Sequence, residues 1–174
     1  QQTSEYKLAN AGMTLAEFRA IFWWEYVHRL WGRLIGLVFF LPFVWFLIRG
    51  RVRKSLVPRL VLLFLLGGAQ GALGWYMVRS GLVDIPEVSQ YRLAAHLSLA
   101  FLIYAALVWT GLSLIFASPV TIADRLGVQV RYLALLASGL IALTILSGAF
   151  VAGTDAGLIF NSFPLMDGSI LPPG

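Results

Sequence analysis

Four stretches of this chain are so long and so apolar that only a membrane accounts for them. They run from about Tyr26 to Ile48, Val57 to Val78, Arg92 to Phe116 and Arg131 to Ala152. Each has roughly 20 residues or more, enough at ~1.5 Å per residue to cross a ~30 Å hydrocarbon core. Inside lipid the backbone must satisfy its own polar groups, which leaves helices as the fitting form. The reading is an all-α integral membrane protein with a four-transmembrane-helix bundle. Composition agrees: 59% of the 174 residues are hydrophobic and only 12% are charged, about half the usual globular share. Mean hydropathy is +0.82. Pro42 inside the first segment is expected to kink it, which a packed bundle tolerates.

Charge then orients the bundle. The net charge is +5, but Arg49, Arg51, Arg53, Lys54 and Arg59 crowd the loop between the first two segments. Such clustering marks topology and not nucleic-acid binding. It predicts that this loop faces the cytoplasm or matrix, with the N-terminal segment, the second loop and the tail on the opposite, outer side. The second loop balances Arg79 and Arg92 against Asp84 and Glu87. The third, with Asp124, Arg125 and Arg131, agrees only weakly. Three regions follow: 1–25 as an outer-side polar or interfacial segment, 26–152 as the bundle and 153–174 as an outer-side loop. Trp23, Trp24 and Trp31 suit the headgroup level. The chain starts at Gln1 without a visible signal peptide and reads as cut at its N-terminus. Without cysteine it has no disulfide and no thiol chemistry.

"WWEYVHRLWGR", residues 23–33, puts Glu25, His28, Arg29 and Arg33 at the mouth of the first segment. The topology makes the first and third segments parallel, each starting on the outer side. The only two histidines, His28 and His96, fall near the start of each, at similar depth. If those helices are neighbours, the imidazoles can face each other and ligate a haem iron between them. His28 shares a helix stripe with Gly32 and Gly36, where a flat macrocycle can lie, and His96 is followed at i+4 by Ala100. Arg29, Arg33 and Arg92 lie where haem propionates need cations. Neither a Gly-rich phosphate loop nor an HExxH zinc motif occurs.

Plainer readings stand beside these. A boundary histidine is often an interfacial polar residue, and boundary arginines snorkel to headgroups. Gly32 with Gly36, and Gly67 with Gly71, fit small-xxx-small helix packing, the favoured reading for the second segment. Glu25 is costly beside lipid unless paired; it serves either as the i+4 salt-bridge partner of Arg29 or as an anion handling protons beside a haem edge.

"FWWEYVHRLWGRLIGLVF", "GLVDIPEVSQYRLAAHLSLAF" and "GAFVAGTDAGLIFNSFPLMDG" together resemble the haem A synthase family, in its cysteine-free subtype, over nearly the whole chain. That resemblance implies an oxidoreductase that oxidises the C8 methyl of haem O to a formyl group, giving haem A for cytochrome c oxidase. It implies an eight-helix fold of two pseudo-symmetric four-helix halves. This chain corresponds to roughly the N-terminal half, which takes the substrate haem O, while the other half holds haem b. The family's ExxH pattern falls on Glu25 and His28, and its next histidine on His96. Its DAGL–N–FP segment falls on Asp155, Ala156, Gly157, Leu158, Asn161, Phe163 and Pro164, expected to form an outer loop over the haem. The resemblance places the protein in the bacterial inner membrane or the mitochondrial inner membrane. Its implied partners are lipid, haem O synthase and cytochrome oxidase assembly proteins, with room for a homo-oligomer and no role for nucleic acid. The alternatives are a b-type cytochrome that only transfers electrons or carries haem, and a haem-free transporter or scaffold bundle.

Overall fold

The computed structural model describes residues 11–81, 89–116, 125–159, 162, 165–166 and 168–170. Its long helices are α1 (Leu15–Ile48), α2 (Val57–Gly81), α3 (Gln90–Ile115) and α4 (Arg125–Gly153), followed by the short α5 (Ala156–Ile159). No strand occurs among the described residues. All four long helices are long and apolar enough to cross a membrane, and the chain is a multi-pass membrane protein.

The helix boundaries follow from local chemistry. α1 begins at Leu15, well before Tyr26, because Thr14 and Glu17 form a reciprocal capping box. Thr14 N–H donates to Glu17 Oε2 at 2.8 Å, and Glu17 N–H donates to Thr14 Oγ1 at 3.4 Å. The aromatic lead-in is therefore the first turns of α1. Phe18, Phe22 and Tyr26 stack along it with ring centroids 6.0 Å apart at each step. At 34 residues the helix is ~50 Å long, well beyond a bilayer core. It runs on through Pro42.

Gly50, at φ +64°, ends α1 by entering the left-handed region. Its N–H donates to Leu47 O and the next N–H, of Arg51, to Phe46 O, a Schellman closure. The chain is thus turned at the start of the basic loop. Within the helices, hydroxyls bond backward to carbonyls, as Ser98 does to Ala94, Thr110 to Ala106 and Thr144 to Leu140. Such local closure spares lipid-facing segments an unpaired donor.

The helices pack in chain order. α1 rests on α2 through Phe39 and Phe40 against Phe64. α2 meets α3 at Arg59–Ser113, Gln70–His96 and Tyr76–Arg92, an antiparallel register pinned along its length. α3 meets α4 at Tyr91–Phe150, with ring centroids 5.7 Å apart. A Cβ added at Gly153 would fall 2.7 Å from the Cα of Gln90, so α4 closes on α3 there only because residue 153 lacks a side chain. The buried residues Leu63, Met77, Ala94, Thr110 and Ala149 all lie on α2, α3 and α4; α1 buries none. Among the described residues, no Cα of α1 comes within 8 Å of one in α3 or α4. The first and third segments therefore flank α2 across a gap and do not pack directly.

One sequence expectation fails here. A Cβ at Gly67 or Gly71 would meet nothing within 4 Å. These glycines sit at no helix–helix contact among the described residues, because α2 meets its neighbours along other faces. The same holds for Gly32 and Gly36.

Candidate functional site

The side chains that matter gather at the end of the bundle away from the basic loop. Register shows why. From Phe39, which meets Phe64, His28 lies eleven residues back along α1. The same antiparallel step along α2 leads from Phe64 to Trp75, next to Gly74, and Gly74 is where α2 meets the His96 ring. His28 and His96 therefore stand at one level, on the two helices that flank α2. Their backbones stay apart.

The two histidines are held differently. His28 is exposed, whereas His96 is half-buried. A Cβ at Gly74 would lie 3.0 Å from His96 Cε1 and 3.6 Å from its Nδ1, so the ring rests against bare α2 backbone. Gln70, one turn before Gly74, donates its side-chain N–H to the His96 carbonyl at 3.0 Å. Among the described residues, two buried side-chain atoms are left without partners, Gln70 Oε1 and His96 Nδ1; His96 Nε2 is not among them.

Glu25 and Arg29 form an i,i+4 ion pair, both about half exposed. That is the structural role weighed for Glu25, and it ties up Arg29 as well. Arg92 lies over the Tyr76 ring, 5.0 Å from its centroid, and so leans onto α2. Arg33 is exposed. The register separates these cations. Arg92 is one turn outward of the histidine level and Arg33 more than one turn inward, ~12 Å apart along the axis. They do not share one edge of the gap.

Of the DAGL–N–FP segment, Asp155 adopts φ +52° and joins α4 to α5, with its carbonyl accepting from Leu158 N–H at 2.9 Å. Asp155, Gly157 and Leu158 line a shallow hollow of about 210 Å³ with Gly148, Val151 and Ala152. Neither histidine lines it. Asn161, Phe163 and Pro164 lie outside the described residues.

Sequence reasoning missed Gln70 and Gly74. A signal was there: "GGAQGALG" sets one amide among small residues in the middle of an apolar span. A polar side chain at such depth needs a partner. Which partner depends on α3, and that only the packing reveals.

Chemically, the arrangement offers two imidazoles on opposite walls of a gap whose α1 wall is bare at Gly32 and Gly36. Among the described residues no group of three His, Cys, Asp or Glu side chains converges. Two donors do not make a site for a free ion, which takes four to eight ligands. They suit a metal whose remaining four donors come from a flat macrocycle. The orphaned Nδ1 of His96 fits as well, since a ligating imidazole carries its proton on the nitrogen that does not bind the metal.

The family model for the cytochrome oxidase assembly protein matches residues 1–174. Among curated relatives, the chain is 54% identical over 174 residues to the haem A synthase of Paramagnetospirillum magneticum, covering 99% of this chain and 49% of that protein. To the haem A synthase of Parvibaculum lavamentivorans it is 55% identical, covering 100% and 49%. To that of Nitrosospira multiformis it is 53% identical over 172 residues, covering 99% and 48%. The chain thus spans about half the length of these relatives. No solved structure matches it.

Proposed function

The chain belongs to the cytochrome oxidase assembly protein family, and from that premise we propose that it is the substrate-binding half of a haem A synthase. In this reading haem O binds in the gap between α1 and α3, and its C8 methyl is oxidised to a formyl group. The observation that carries the reading is the pair of imidazoles brought to one level across that gap. Converting a methyl to a formyl group gains one oxygen and releases four electrons and four protons per water consumed. The haem iron supplies redox chemistry at the site, and the remaining length of the full protein supplies haem b as electron partner.

The chain's own residues hold and orient. His28 and His96 would hold the haem iron through their imidazole nitrogens. Gly32 and Gly36 let the macrocycle approach the α1 backbone without a side chain between them. The propionates belong at the outward edge, where Arg92 can meet them with charge-assisted hydrogen bonds. Arg33 sits too far inward to join them. Glu25, one turn outward of His28 and paired with Arg29, would place an anion near the ring edge. There it would stabilise positive charge developing at the reacting carbon and take up a proton.

The direct test is to express the full-length protein together with the enzyme that makes haem O, purify it, and identify its haems by extraction and chromatography. Haem O and haem A beside haem b are expected. Haem b alone, with both histidines intact, refutes the reading in favour of an electron-transferring cytochrome.

We also infer that the basic α1–α2 loop faces the cytoplasm or matrix of an inner membrane and Ser169 the other side. A thiol reagent that cannot cross the membrane should label Ser55→Cys and Ser169→Cys from opposite faces. Labelling from the same face would overturn this topology.

A further inference from the structure

We propose that Gln70 is the positioning residue for His96, tying α3 to α2 through its N–H and fixing the imidazole through its oxygen. The proposal rests on the reading of His96 as an axial ligand.

Four observations converge on Gln70. Its side-chain N–H donates to the His96 carbonyl at 3.0 Å, so the amide already lies against the residue it would orient. Its Oε1 is buried and has no partner. His96 Nδ1 is buried and has no partner either. The ring stands over Gly74, one turn further along α2, with Nδ1 3.6 Å from where a Cβ would be. A buried acceptor and a buried ring nitrogen, each unpaired and each belonging to residues already in contact, would both be satisfied by one proton on Nδ1. A buried polar group left unpaired bears its full desolvation cost.

Gln70 Oε1 accepts a hydrogen bond from Nδ1–H, directly or through one water, after a rotation of the amide. Two consequences follow for the ring. The tautomer is set with the proton on Nδ1, which leaves the Nε2 lone pair free. The rotation about χ2 is fixed as well, because Gly74 closes one side and the amide the other. A histidine ligand whose second nitrogen donates a hydrogen bond is a stronger electron donor to its metal. Gln70 would therefore lower the reduction potential of the haem in this half as well as strengthen its binding. His28, exposed on α1, has no counterpart to Gln70 among the described residues.

The test uses the full-length holoprotein. Gln70→Leu keeps the bulk and removes both donor and acceptor. The variant should still bind haem in this half, with affinity lowered roughly 10–100-fold, the usual cost of losing such a supporting group. Its midpoint potential should move upward and its low-spin electron paramagnetic resonance g values should shift, while the haem b signals of the other half stay in place. Should Gln70→Leu not accumulate, Gln70→Met, with a comparable chain length and no N–H, is read in the same way. Wild-type potential, g values and haem affinity in the folded variant overturn the proposal, even if its thermal stability falls, since a purely structural strap would give that result. His96→Ala separates this failure from failure of the underlying reading: if removing the imidazole leaves the same signals untouched, His96 is no ligand and Gln70 has nothing to position.

Discussion

α1 and α3 each carry one of the two histidines, but α3 is clasped between α2 and α4 while α1 rests on α2 alone. The difference reaches the side chains. His96 has Gly74 against its ring and Gln70 on its carbonyl. His28 is exposed, and the glycines below it face open space. One wall of the gap is built by helix packing, and the other is exposed. Lipid-facing helices gain little from the hydrophobic effect against one another, so close approach and polar links decide where they lock. α3 has both kinds of link, at Gly153–Gln90, Arg59–Ser113 and Gln70–His96. α1 has aromatic stacking on Phe64.

The histidines give the sharpest way to break this comparison. In the full-length enzyme, His28→Ala and His96→Ala should each abolish haem A formation, measured by haem extraction. Their rescue should differ. Added imidazole should restore a low-spin haem spectrum to His28→Ala, because that wall is open, and do so poorly in His96→Ala, where α2 encloses the position. Equal rescue would mean that the two walls are equally accessible.

Glycine substitutions probe the same contrast through stability. Gly153→Ala puts a methyl 2.7 Å from Gln90 Cα and should cost about 1–3 kcal/mol by forcing α4 off α3, read as a drop in the melting temperature of the purified protein. Gly32→Ala meets no atom within 4 Å and should leave the melting temperature of the haem-free protein unchanged or slightly raised, since alanine favours a helix by up to ~1 kcal/mol. A large loss in Gly32→Ala would show that α1 is packed there after all.

Glu25→Gln separates pairing from chemistry on α1. Losing an exposed ion pair costs about 0–1 kcal/mol. On the proposed role, haem O should stay bound while haem A formation stalls. Normal haem A per folded enzyme would leave the Arg29 pair as its whole function. The smallest expected effect concerns the cations on either side of the histidine level. Arg92→Ala should weaken haem retention several-fold and Arg33→Ala should not, as followed by haem-to-protein ratio after purification. The reverse order would turn the propionates inward.

The bundle was legible in the sequence because lipid permits so few backbone solutions. The second and third apolar runs gave their helices to within a few residues, while the fourth helix begins at Arg125, ahead of the expected Arg131. Thr14 and Glu17 also held the true start of α1, since a capping box is a local signal, but it was passed over in favour of hydropathy. The ion pair of Glu25 with Arg29 follows from i,i+4 spacing and was open to reading as one of two roles. Among the described residues no helix meets Gly67 or Gly71: a small-xxx-small spacing says that helices can approach and not that they do.

What the sequence settled by itself is therefore whatever depends on one helix: the number of spans, their ends, the faces that side chains share, and the family. It also bounded the depth of the histidines, since depth along a span is counted in residues. Tertiary structure alone decided which faces meet. Gln70 reached His96 across 26 positions, Gly74 became the bed for its ring, and Arg33 parted from Arg92, all through the rotation and register of α2 against its neighbours. No local rule fixes those two quantities. They come from the sum of many weak contacts along whole helices, and only the assembled bundle evaluates that sum.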